Sequence, residues 1–183
     1  MGTYDLERVS VLVVDDNSYI RSLLMNSLKA LGVGQVKTAV HGGEAIELLK
    51  LMGSDPMRAG LMSLDAIYSN WQMSPVDGTM LLRWVRRHKE SPDRFIPFVM
   101  VTGYADRAKV AEARDLGVTE FMAKPFSVDA VAQRLLQVIE RPRPFIHTSS
   151  YFGPDRRRQQ SAFHGEDRRH LREGDEGVEV VYD

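Results

Sequence analysis

The 183-residue chain contains no cysteine. That absence removes disulfide frameworks, thiolate zinc sites, iron–sulfur clusters and thiol nucleophiles together, and it fits a reducing compartment. Long apolar runs are also missing. No stretch approaches the ~20 residues that a membrane span requires, and residues 1–10 lack the basic start and apolar centre of a secretory signal. A cytoplasmic protein without a membrane span is therefore expected. Lysine is confined to one part of the chain: all six Lys lie before residue 125, whereas residues 141–172 carry eight Arg against three acids. Residues 173–183 then carry five acids and no base, so the net charge of −1 conceals a basic stretch followed by an acidic one. Solubility would be served equally by Lys, and the choice of Arg points to planar, bidentate contacts.

What is present begins with 43% apolar residues, enough for one good core with chain to spare. Residues 9–14 (VSVLVV) form a continuous apolar run that ends in Asp15 and Asp16, the pattern of a parallel strand buried on both faces. Ile20, Leu23, Leu24, Leu28 and Leu31 follow at helical spacing, with Asn17 or Ser18 as the cap and Gly32 as the stop. The alternation continues with strands at 35–40, 66–69, 98–101 and 120–123 and helices at 43–52, 79–88, 107–116 and 128–139. Five strands alternating with five helices predict an α/β fold, a doubly wound five-stranded parallel sheet of (βα)5 type. Residues 53–63 exceed a usual connection and predict a longer helix or a lid-like loop.

In such sheets a site forms at the C-terminal ends of the strands. Asp15, Asp16, Asn70, Thr102 and Lys124 all fall at or just beyond those ends. An Asp-Asp pair, a Thr-Gly or a Lys-Pro is an ordinary loop when it stands alone; the ordered set at strand ends is the specific signal. Two carboxylates offer hard oxygen ligands for magnesium, a lysine offers a point charge to phosphoryl oxygens, and a threonine hydroxyl can hydrogen bond to them.

The set Val-Val-Asp15-Asp16-Asn, Asn70-x-x-Met73-x-x-x-Asp77-Gly78, Val-Thr102-Gly and Phe121-x-x-Lys124-Pro125-Phe resembles the response-regulator receiver family, the fold of the chemotaxis protein CheY. The resemblance spans residues 8–140. It implies a non-enzymatic phosphate-driven signalling domain, a metal site of Asp15, Asp16 and residue 70, and a pocket completed by Thr102 and Lys124. It further implies a protein partner such as a flagellar motor switch component or a histidine kinase. The family's phosphate-accepting aspartate corresponds to Asn70, whose amide is a poor nucleophile and brings no charge to a metal, so magnesium binding is expected to be weakened. Three origins fit: an introduced substitution that holds the unphosphorylated form, a natural receiver that has given up phosphorylation, or a difference confined to this copy. Retention of the other four residues favours the first. The family's readout implies that Phe121 couples Thr102 to the surface of the fourth helix, fifth strand and fifth helix; plain core packing explains Phe121 equally well.

Helical periodicity stops at Glu140, and Arg-Pro-Arg-Pro at 141–144 marks a boundary. Residues 141–183 read by composition as a largely disordered or ligand-ordered tail. Within it, Gly153-Pro154-Asp155-Arg156-Arg157 is echoed 12 residues later by Gly165-Glu166-Asp167-Arg168-Arg169. Arginine can donate in parallel to O6 and N7 of guanine, a carboxylate can accept from the other guanine edge, and Tyr151, Phe152 and Phe163 offer stacking faces. A doubled motif suits a ligand with two guanines and two phosphates. The tail thereby resembles the Arg-rich segment of the CheY-like cyclic di-GMP effectors known as Cle proteins. That resemblance implies cyclic di-GMP binding within 147–172 by Tyr151, Asp155, Arg156, Arg157, Arg158, Asp167, Arg168 and Arg169. Non-specific binding of nucleic acid and a merely solvated tail compete with it, as does a conventional response regulator whose tail only docks or localises it. The acidic residues 173–183 are placed to screen the Arg cluster when no ligand is bound.

Overall fold

A computed structural model describes residues 5–103 and 107–156 and the backbone of 179–181. Five strands, β1 (Ser10–Val14), β2 (Gln35–Ala39), β3 (Ala66–Asn70), β4 (Phe98–Thr102) and β5 (Glu120–Ala123), form one parallel sheet in the order β2-β1-β3-β4-β5. The helices α1 (Ser18–Ala30), α2 (Gly42–Ser54), α4 (Gly78–Arg87), α5 (Arg107–Asp115) and α6 (Val128–Glu140) alternate with them, and α3 (Pro56–Ala59) is a single turn after α2. Strands and helices thus match the sequence expectation to within a few residues at their ends. The fourth and fifth helices of that reading are α5 and α6. Among the described residues no helix is long and apolar enough to cross a membrane.

Every residue of β1 and β4 is buried, which explains their unbroken apolar runs. Successive side chains serve opposite faces of the sheet. Leu12 and Val14 join Ile67, Phe98, Leu81 and Leu82 on one side, while Val11 and Val13 join Tyr68, Val99, Leu28 and Leu135 on the other. Asn17 caps α1 by accepting from the N–H groups of Tyr19 and Ile20, and Gly32 ends its turn at φ +92°. Residues 53–63 are the end of α2, then α3, whose Ala59 enters the core, and a loop whose Leu61 does the same. The loop leads to Asp65, whose carboxylate accepts from Ser10 N at 2.7 Å at the start of β1. This places the loop at the N-terminal end of the sheet, away from the candidate pocket, so the lid-like reading does not hold. The buried aliphatics on the loop are the physical reason.

The described part of the tail is folded. Strands β6 (Phe145–His147), β7 (Phe152–Pro154) and β8 (Glu179–Val181) form an antiparallel sheet in the order β7-β6-β8. Phe145 and Phe152 pack edge-on against Phe95, with ring centroids 5.0 and 5.4 Å away. Arg94 lies over the Phe152 ring at 3.9 Å and Arg86 over Phe145 at 5.1 Å. Gly117, at φ +89°, admits the hairpin: a Cβ there would sit 2.8 Å from the Phe152 carbonyl oxygen.

Arg86 is the most unusual residue of the core. Its side chain is fully buried, and it donates from Nε to the Gly117 carbonyl at 2.9 Å and from Nη1 to the Arg94 and Ile96 carbonyls, each at 2.8 Å. Burial pulls its pKa down to about 9, which still leaves a cation at neutral pH. One guanidinium thereby ties α4, the loop before β4, the turn before β5 and the hairpin together. Replacing Arg86 by Met is expected to strand these carbonyls and cost about 3 kcal/mol or more in urea unfolding, whereas Arg83→Ala on the exposed face of α4 should stay within about 0.5 kcal/mol.

Candidate functional site

The strand order brings the C-terminal ends of β1, β3, β4 and β5 side by side. Asp15 and Asp16 follow β1, Asn70 ends β3, Thr102 ends β4 and Lys124 follows β5. All five residues singled out from the sequence therefore meet in one pocket. Asp15 turns inward and is fully buried, while Asp16 is exposed. A buried carboxylate needs a partner, and Lys124 Nζ supplies it at 2.7 Å from Asp15 Oδ2. The other Asp15 oxygen accepts from Asn17 N at 2.9 Å, which also fixes the start of α1. Arg21 Nη1 donates to the Asp15 carbonyl at 2.6 Å.

Asn70 lies at the centre. Its Oδ1 accepts from Lys124 Nζ and from Trp71 N, each at 3.0 Å. Its Nδ2 donates to Asp16 Oδ1 at 3.0 Å and to the Gln72 carbonyl at 2.8 Å. Thr102 is buried beside it, and its carbonyl accepts from Lys124 N at 2.8 Å, so β4 helps to hold the lysine backbone. The Lys124–Pro125 bond is cis. The interval from Asn70 to Gly78 has a steric origin: a Cβ at Gly78 would collide with the Asn70 carbonyl, and Gly78 N donates to the Trp71 carbonyl at 2.8 Å. Asp77 caps α4 by accepting from Met80 N at 2.8 Å.

Among the described residues no group of three or more His, Cys, Asp or Glu is arranged to hold a metal ion. Asp15 is committed to Lys124, and residue 70 turns an N–H rather than an oxygen lone pair toward Asp16. A hard cation such as magnesium requires converging oxygens, and this arrangement does not fit it.

Phe121 is half-buried and stacks on Trp71 with ring centroids 6.4 Å apart, next to the Asn70 backbone. Arg134 of α6 donates from Nε to the Phe121 carbonyl at 2.8 Å and from Nη1 to Gln137 Oε1 at 2.9 Å. Gln137 in turn donates to Glu120 Oε1 at 3.0 Å, and Arg143 of the tail lies 4.0 Å from that same oxygen. Arg143 also donates to the carbonyls of Thr119 and Asp155.

Of the proposed ligand residues, Tyr151, Asp155 and Arg156 are described, whereas Arg157, Arg158, Asp167, Arg168 and Arg169 lie outside the described residues. The Arg156 guanidinium lies 4.1 Å from the Tyr151 ring centroid, and its Nη1 pairs with Asp115 at the end of α5 at 3.0 Å. Tyr151 donates to the Pro154 carbonyl at 2.8 Å, and burial raises its pKa against the opposing pull of Arg156. This cluster lies at the opposite end of β5 from Lys124. Thr119 precedes the strand and Lys124 follows it, a separation of roughly 16 Å at the rise of a strand. The sequence reading missed Asp115 and Glu120 as neighbours of the tail. A lone acid at a helix end and an acid at a strand start carry no spacing signal that could have found them.

The fold agrees with what the chain is similar to. The model of the response regulator receiver domain matches residues 11–136. A chemotaxis protein CheY homolog of Campylobacter jejuni is 32% identical over 131 residues, which cover 72% of this chain and 92% of that protein. The solved structure of the Vibrio cholerae chemotaxis protein CheY4 superposes with a TM-score of 0.60 at 29% identity, covering 71% of this chain and 98% of that one. The receiver domain of the histidine kinase CKI1 from Arabidopsis thaliana, solved in complex with Mg2+ and BeF3−, gives a TM-score of 0.59 at 27% identity, covering 72% and 93%. The chain belongs to the response regulator receiver domain family.

Proposed function

We propose that this chain is a non-enzymatic, CheY-like signalling adaptor that takes its input through the tail, by binding cyclic di-GMP, and docks a protein partner in response. Residues 8–140 act as the receiver unit and residues 141–183 as its ligand-binding extension, with 147–172 as the ligand-binding segment. Phosphorylation is disabled at Asn70, because an amide nitrogen engaged with Asp16 and Gln72 is no nucleophile, and magnesium is weakly held at best.

One observation carries the ligand reading. The first copy of the repeated motif leads off an anchored hairpin in which the Arg156 guanidinium already lies over the Tyr151 ring. A guanidinium ordered against an aromatic ring is placed to meet a guanine or phosphate edge, and its prior ordering lowers the cost of binding. Asp115 holds Arg156 in the free protein, at an exposed ion pair worth little, so a ligand can replace it. Both ends of the segment that contains the repeat are tied to β6, by β7 on one side and β8 on the other, which limits the loop entropy lost on capture.

The polar chain from Arg143 through Glu120, Gln137 and Arg134 to the Phe121 carbonyl supports a route from the tail to the face of α5, β5 and α6. That face is where a motor switch component or a histidine kinase would be met. A nucleic-acid ligand is the second reading, favoured by the Arg content alone.

Calorimetry with cyclic di-GMP is expected to show guanine-specific binding that falls at least about tenfold in Arg156→Ala and in Arg168→Ala, the loss of roughly one good bidentate contact each. Binding that grows with polymer length and collapses in moderate salt would instead favour nucleic acid. Mass spectrometry after incubation with a small phosphodonor should find no phosphate at position 70; a gain of one phosphate there defeats that part of the reading.

A further inference from the structure

The pocket contains an arrangement that goes beyond a missing nucleophile, and it stands apart from the ligand reading of the tail. A carboxamide has one oxygen with two lone pairs and one NH2 with two hydrogens. Asn70 uses all four in a single consistent way: two donors, Lys124 Nζ and Trp71 N, reach its oxygen, and two acceptors, Asp16 Oδ1 and the Gln72 carbonyl, receive its hydrogens. Turning the amide over would set NH2 against an ammonium and an N–H, and oxygen against two oxygens. The orientation is therefore fixed by all four neighbours.

We infer that the Asn70 amide takes the place of a divalent cation: its NH2 bridges the Asp16 carboxylate and the Gln72 carbonyl, so that the Asp16 oxygen a cation would draw on is already engaged and the pocket is closed by the chain itself. The charges agree with this. Asp15, Asp16 and Lys124 sum to a formal −1, with the buried carboxylate matched directly by the ammonium. A carboxylate at position 70 would take the sum of these side chains to −2 against the one lysine among them, with Arg21 engaged on the Asp15 carbonyl rather than on a carboxylate, and an added cation would relieve it. With the amide present, the partial positive charge of two N–H bonds does that work at Asp16 and Gln72, and no oxygen of residue 70 is left for a metal. The pocket is thus complete without metal.

Thermal unfolding of the full chain in EDTA and in millimolar magnesium chloride tests this, with Trp71 fluorescence as a local readout. The Tm and fluorescence of the Asn70 chain should be indifferent to magnesium. N70D should melt roughly 4–8 °C lower in EDTA, a shift of about 2 kcal/mol for a chain of this size, and recover with magnesium. N70A separates the amide from the mere absence of a third charge: it should melt below the Asn70 chain in EDTA and gain nothing from magnesium. A magnesium-dependent rise in the Tm of the Asn70 chain would overturn the inference, as would an N70D or N70A variant as stable as the Asn70 chain in EDTA.

Discussion

A carboxylate taken entirely out of water must be neutralised where it sits, and at Asp15 that task falls to Lys124 across the sheet. The pair links the loop after β1 to the loop after β5, the edge strand, although β3 and β4 lie between them in the sheet. Asn70 stands under the same ammonium from β3, and Thr102 holds the lysine backbone from β4, so one cation collects four strands. Because Asp15 also anchors Asn17, the cap of α1, the pocket and the first helix are set together.

Much of this arrangement was legible in the sequence for physical reasons that can be named. β1 and β4 are buried on both faces, and a strand so placed cannot hide its apolar run. Asp15, Asp16, Asn70, Thr102 and Lys124 each stand where such a run stops, which is also where a parallel sheet places its site. What the sequence obscured has equally definite causes. Strands β6 and β7 have three residues each, too short for alternation to register, and a composition poor in aliphatics concealed that Phe145 and Phe152 bury themselves against Phe95. Arg86 looks like one more cation near the end of an amphipathic helix, and only its three backbone carbonyl acceptors reveal it as core. The stretch of residues 53–63 read as long because its buried anchors, Ala59 and Leu61, are flanked by exposed Met57 and Met62.

The two ends of β5 therefore carry different chemistry. At its C-terminal end lies a pocket that retains the layout of phosphate signalling but is satisfied by hydrogen bonds from Asn70. At its N-terminal end, Arg143 and Glu120 join the folded hairpin to α6, and Arg156 rests on Tyr151 and Asp115. An input that has moved from one end to the other would keep the same output face, since α5, β5 and α6 border both. On the proposed reading, a receiver without an acceptor carboxylate would remain a working signal protein rather than one locked at rest.

Hydrogen–deuterium exchange on the full chain tests that relocation most directly, with cyclic di-GMP and beryllofluoride plus magnesium compared as inputs. The account predicts that cyclic di-GMP slows exchange across residues 143–172 and alters it in α6, while beryllofluoride changes nothing at the ends of β3 and β4. Protection of the pocket by beryllofluoride, with residues 143–172 indifferent to cyclic di-GMP, would contradict it.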